Sequence, residues 1–151
     1  MPRRNQVEEQ FHIQFIDWCF ANAGRWPDAS IEVPRRIRAG RGTIEVRAKT
    51  LAFFHPPNGG ARDAVTGSIM HKMGVRRGVF DLWLPVPNKK YIGLALELKA
   101  PQKYMSKEQK NWSNFLELMG WRVEVCRSLA ECIDVTTTYL NSREKCGIVK
   151  D

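Results

Sequence analysis

No run of about 18 apolar residues occurs in this 151-residue sequence, so nothing in it reads as a membrane-spanning helix. The opening Met1-Pro2-Arg3-Arg4-Asn5 leads into an amphipathic pattern and carries no secretory apolar segment. Cysteine is scarce. Cys19, Cys126, Cys132 and Cys146 form no Cys-x-x-Cys and have no histidine partner at zinc spacing, which argues against a structural zinc and predicts reduced thiols in a cytosol. No glycine-rich loop ends in Lys-Ser or Lys-Thr, so a nucleotide cofactor has no support. Repeats and low-complexity segments are absent, and one ordinary domain over 1–151 is expected. Acids are outnumbered, 16 against 24 Lys and Arg, for a net charge of +8. A basic domain attracts polyanions, of which nucleic acid is the commonest in a cytosol; a merely solubilising surface is the competing explanation.

The positive charge is uneven. Arg35, Arg36, Arg38, Arg41, Arg47 and Lys49 crowd between Val33 and Thr50 with only Glu45 among them, and Arg76, Arg77, Lys89 and Lys90 flank an apolar run around Asp81. Val7, Phe11, Phe15 and Trp18 recur at helical spacing over about 5–22. Ile31–Arg38 and Thr43–Lys49 read as β-prone stretches around the turn Ala39-Gly40-Arg41-Gly42, a basic hairpin-like insertion near 31–50. Leu51–His55 reads as a short strand, Ala61–Met73 as a helix with Gly74 at its end, and Val79–Val86 and Tyr91–Lys99 as two antiparallel strands. Ser106-x-x-Gln109 and Ser128-x-x-Glu131 are capping-box patterns opening helices to about Met119 and Leu140, with Trp121–Cys126 as a strand between them. A polar tail follows from Asn141, expected to be loosely held. The fold class is α/β: a mixed central sheet flanked by helices.

Asp81, inside one apolar run, and Glu97 and Lys99, at the end of the next, carry the most chemistry. Residues two apart on a strand share a face, so Glu97 and Lys99 point the same way about 7 Å apart, and pairing of the runs brings Asp81 alongside. A carboxylate in an apolar strand is expensive unless paired or metal-bound. Two carboxylates suit a hard divalent cation, and a neighbouring ammonium positions a water or a phosphate, a set fit for cleaving phosphodiesters. An edge strand facing water would explain Asp81 without chemistry. Gln109 closes a capping box and also shares a helical stripe with Trp112 and Leu116, so it can face the sheet end that carries Lys99. Glu8 lies on the stripe of Phe11 and Phe15, whereas Glu9 sits with Ile13 and Ile16 and is the weaker competitor. His55 lacks a companion metal-ligand pattern and reads as structural or phosphate-contacting.

These motifs in this order resemble the VRR-NUC (virus-type replication-repair nuclease) family of the PD-(D/E)XK superfamily. The resemblance rests on Glu8 in the first helix, Asn58-Gly59-Gly60-Ala61-Arg62, Lys72-Met73-Gly74-Val75-Arg76-Arg77-Gly78-Val79-Phe80-Asp81, Glu97-Leu98-Lys99, and Ser106-x-x-Gln109 followed by Gly120-Trp121. It implies a restriction-endonuclease-like core and Mg²⁺- or Mn²⁺-dependent DNA cleavage. Asp81, Glu97 and the Leu98 backbone carbonyl are then metal ligands, with Glu8 in support. Lys99 positions water, and Gln109 and Glu8 hold the site. Stand-alone phage and bacterial members of the family are associated with homodimers that cut branched DNA such as four-way junctions. Flap-directed and sequence-directed cleavage, and a non-catalytic nucleic-acid-binding module, are the alternatives. Arg35, Arg36, Arg38, Arg41, Arg62, Lys72, Arg76 and Arg77 are the expected contacts to the DNA backbone. The 31–50 stretch exceeds what the family core requires and reads as a DNA grip or a dimerisation arm.

Overall fold

Phe11, Phe15 and Cys19 recur every four residues, and helix α1 (Gln6–Ala21) buries all three. The computed structural model describes residues 6–57 and 63–143. Two single turns of 3₁₀ helix, Ala23–Arg25 and Pro27–Ala29, lead from α1 into a hairpin of ten-residue strands, β1 (Ser30–Ala39) and β2 (Gly42–Leu51). Helix α2 (Ala64–Lys72) follows, capped by Asp63, whose carboxylate accepts the Thr66 N–H. Strands β3 (Leu82–Leu84) and β4 (Leu94–Leu98), helix α3 (Lys107–Leu118), strand β5 (Arg122–Cys126) and helix α4 (Leu129–Asn141) complete the order. The second sheet runs β3-β4-β5, antiparallel then parallel, so it is mixed and β4 is central.

Period-2 alternation sorts β4 between two cores. Leu94, Leu96 and Leu98 join Phe11, Phe15, Cys132, Tyr139 and Leu140 beneath α1 and α4. Ala95 joins Phe80 and Leu116 beneath α3. Glu97 and Lys99 have the parity of Ala95 and therefore share the α3 face. No helix among the described residues is long and apolar enough to cross a membrane.

Several boundaries depart from the expectations above, each for a local reason. The expected strand Val79–Val86 shrinks to Leu82–Leu84, because Gly78 sits at a φ of +78° and Pro85 and Pro87 have no N–H to give a ladder. Asp81 therefore stands just before β3, not within a strand. The expected strand Tyr91–Lys99 begins only at Leu94, since the Asn88 side chain accepts the Lys90 and Tyr91 N–H groups and closes a turn there. Leu51–His55 is no separate strand. Leu51 ends β2, the Phe53 N–H turns back onto the Leu51 carbonyl at 2.7 Å, and only Phe54 bridges to Trp83. Helix α2 starts at Ala64; the expected start, Ala61, lies outside the described residues. The Ser106 capping box forms in full. The second is half formed, because Glu131 accepts the Arg127 N–H at 2.6 Å instead of that of Ser128. The start of the polar tail is held: Asn141 accepts the Trp26 indole N–H at 3.2 Å, and Arg143 pairs with Asp28 at 2.8 Å. Cys146 and residues 144–151 lie outside the described residues.

The basic hairpin divides by face. Arg47 pairs with Glu32 at 3.0 Å, and Arg36 stands opposite Glu45 in the register. The other face sets Ile37 against Ile44, both exposed, and Val33 against Ala48.

Gly78 carries the most exacting backbone requirement. A Cβ there would lie 2.6 Å from the backbone carbon of Glu108, at a φ that already costs about 1–2 kcal/mol for an L-residue. Gly78→Ala is expected to lower the unfolding free energy by at least about 2 kcal/mol in urea titrations, prising the segment before Asp81 from the first turn of α3.

Candidate active site

The last residues of β4 meet the first turns of α1 and α3. Beyond Leu82↔Leu96, β3 no longer pairs with β4, and the Leu98 N–H is left facing that edge. The carboxylate of Asp81 takes it: Oδ2 accepts the Leu98 N–H at 2.8 Å. In a strand a residue's carbonyl points the same way as its own N–H, so the Leu98 carbonyl is aimed at the same edge.

Glu97 is 2% exposed. Its Oε1 accepts from the Lys99 ammonium at 3.2 Å and from the Gln109 amide. Its Oε2 is buried with no hydrogen-bond partner among the described residues. Gln109 performs both tasks that its position allows. Its Oε1 accepts the Ser106 N–H at 2.8 Å, closing the capping box, while its Nε2 reaches Glu97. Glu8, half-buried where Glu9 is exposed, accepts the Ala100 N–H at 2.7 Å and pairs with Lys103 at 3.3 Å. The turn that presents these donors has Pro101 followed by Gln102 at a φ of 68°, a left-handed position usually given to glycine.

Burial pushes the Glu97 carboxyl up to about 8, and the charge of Asp81 adds to the rise. Burial also raises Asp81, against the pull of the Leu98 N–H. An orphaned oxygen between two raised acids is what a hard cation would satisfy, and the donors available, carboxylates and a backbone carbonyl, suit Mg²⁺ or Mn²⁺. Among the described residues no three His, Cys, Asp or Glu side chains converge as a metal cage. Water and other oxygen ligands would have to complete such a shell, as Mg²⁺ commonly requires.

His55, read from the sequence as structural or phosphate-contacting, also stands here, and His12 stands with it. His55 Nδ1 lies 2.5 Å from the Asp81 carbonyl, so the ring donates from that nitrogen. His12 meets the His55 ring edge-on at 4.8 Å, and burial with His55 nearby holds it below its ordinary range. His12 follows Glu8 by four residues on the same stripe, a signal the sequence did contain. Lys103 had none, because a turn rather than a strand or helix delivers it.

The expected DNA contacts are dispersed. Arg35 is tied to Asp17 at 2.8 Å and stacks on Phe20 at 3.9 Å, facing α1. Arg38 and Arg41 are exposed near the hairpin tip; Lys72, the last residue of α2, is exposed, as are Arg76 and Arg77 beyond it, with the Arg77 carbonyl against α3. Arg62 lies outside the described residues.

Residues 59–130, just under half of the chain, match the VRR-NUC domain family. A solved structure of a VRR_NUC domain protein superposes with a TM-score of 0.64 at 20% identity, covering 91% of each chain. No curated protein matches.

The raised acids set a pH dependence. The folded chain keeps protons that the unfolded chain releases above about 4.5, so stability falls as pH rises from there towards about 8. His12, lowered on folding, acts in the opposite sense up to about 6.5. Melting temperatures in EDTA are expected to decline across this window. In Glu97→Gln, which keeps His12, the decline should largely disappear.

Proposed function

We propose that this protein, whose residues 59–130 match the VRR-NUC domain family, is a Mg²⁺- or Mn²⁺-dependent DNA nuclease. It hydrolyses phosphodiesters in branched DNA such as four-way junctions. The observation that carries the reading is the buried, unpartnered Oε2 of Glu97 beside Asp81. Asp81, Glu97 and the Leu98 carbonyl would hold the ion, which supplies Lewis acidity and charge neutralisation at the phosphate. Lys99, braced on Glu97, orients the attacking water and faces the charge developing on phosphate oxygens. Gln109 locks the Glu97 rotamer, and Glu8 fixes the turn that follows Lys99. His55 holds the main chain at Asp81. The exposed Arg76 and Arg77 supply sequence-independent attraction to the DNA backbone, which weakens steeply with salt.

A homodimer fits cleavage of a two-fold junction, since a symmetric substrate cut on two strands needs two sites. Sedimentation at micromolar concentration tests it, and a lone monomer would count against a preformed pair.

Asp81→Ala and Glu97→Ala are expected to cut more slowly by at least about a hundredfold, while binding labelled DNA in EDTA within a few-fold of wild type. Full cleavage by either variant, or cleavage that survives EDTA, removes the metal-dependent reading. A panel of single strand, duplex, flap, fork and four-way junction, each with Mg²⁺ and with Mn²⁺, ranks the substrates. Equal rates on junction and matched duplex would overturn the branched preference.

The two tasks of Gln109 are separable. Ser106→Ala should lower stability by about 1 kcal/mol through the lost cap and leave most cleavage. Gln109→Ala should reduce the cleavage rate far more than its similar loss of stability explains, as read by rates alongside urea melts.

A further inference from the structure

One turn along α3 from Gln109, a hollow of about 460 Å³ opens between the segment after α2 and the helix. Its lining is His71, Arg76, Arg77, Glu108, Asn111 and Trp112. A second hollow of about 260 Å³ continues along α3, lined by Asn111, Trp112 and Phe115. The indole is fixed in place: its N–H donates to the Arg77 carbonyl at 3.2 Å, and the Phe115 ring meets it edge-on at 6.0 Å. Arg76 uses one guanidinium nitrogen on the His71 carbonyl at 3.2 Å, and among the described residues neither Arg76 nor Arg77 forms an ion pair with an acid.

We propose that this hollow binds one unpaired nucleotide of the DNA substrate, its base stacked on Trp112 and its phosphate met by Arg76 and Arg77. The inference rests on the reading of the protein as a DNA nuclease. The volume matches pockets that hold molecules of this size. A π-face beside guanidinium groups is the pairing that single-stranded nucleic acid uses, because every base offers a face and every nucleotide a charge. Asn111 and Glu108 add amide and carboxylate groups at the rim able to meet a base edge. A base inside a duplex has both faces covered by neighbours, so only an extruded or branch-point nucleotide can enter. Because Glu108 adjoins Gln109, the hollow lies next to the carboxylates, which places an unpaired nucleotide near the cut.

The test uses the full chain in EDTA and two DNAs of equal length, one fully paired and one with a single unpaired 5-bromouracil. Wild type should bind the unpaired DNA more tightly. Trp112→Ala should weaken that DNA about tenfold more than the paired one, and Trp112→Phe should keep most of the preference. Irradiation of the wild-type complex should cross-link bromouracil to Trp112, a readout that stands even if Trp112→Ala fails to fold. A preference unchanged in Trp112→Ala, or cross-links mapping only to other residues, overturns the stacking site while leaving the nuclease reading intact. Wild type that binds neither DNA overturns both.

Discussion

An ionisable side chain with almost no exposure has to be held by something, and Glu97 is held from several directions at once. Lys99 reaches it from the same strand, Gln109 from the first turn of α3, and Asp81 crowds it from the neighbouring strand end. Stripping water from a carboxylate costs several kcal/mol even after relaxation, so these partners have to be accurately placed. That requirement explains why glycine occupies position 78, where the chain presses on α3 without room for a Cβ. It also explains why α3 begins with a complete capping box: the residue that finishes the cap is the residue that grips Glu97.

The same packing makes the site asymmetric. On the α1 side it is polar, with Glu8 tied to the turn after Lys99 and the two imidazoles set edge-on beside Asp81. On the α3 side it opens past Gln109 towards Trp112 and the guanidinium groups of Arg76 and Arg77, neither of which forms an ion pair with an acid among the described residues. A polyanion approaching from the open side meets positive charge and an aromatic face before it reaches the carboxylates. In the proposed nuclease reading, Arg76 and Arg77 would attract DNA while Asp81 and Glu97 would hold the ion, which would keep affinity and chemistry on separate residues.

The hairpin contributes less free positive charge than its composition suggests. Arg47 is neutralised by Glu32, Arg36 faces Glu45 across the ladder, and Arg35 is turned onto Asp17 and Phe20. Cross-strand pairing brings together residues that the linear sequence holds apart, so a basic cluster counted along the chain becomes a salt-bridged face in the folded ribbon.

Periodicity and capping chemistry by themselves determined α1, both strands of the hairpin, α3 with its cap, the β5–α4 unit and the shared face of Glu97 and Lys99. Each depends on residues a few positions apart, and a helix or strand converts such spacing directly into geometry. The acid pairing at positions 81 and 97 was legible as a possibility because the two runs are joined by a short turn. Only the tertiary structure decided that Asp81 stands outside its strand and accepts the Leu98 N–H, that Glu8 rather than Glu9 turns inward, and that Lys103, His12 and His55 gather at the same strand end. Those outcomes depend on where β3 stops pairing and on how α1 crosses the sheet. Contacts between distant segments set both, and no local pattern encodes them.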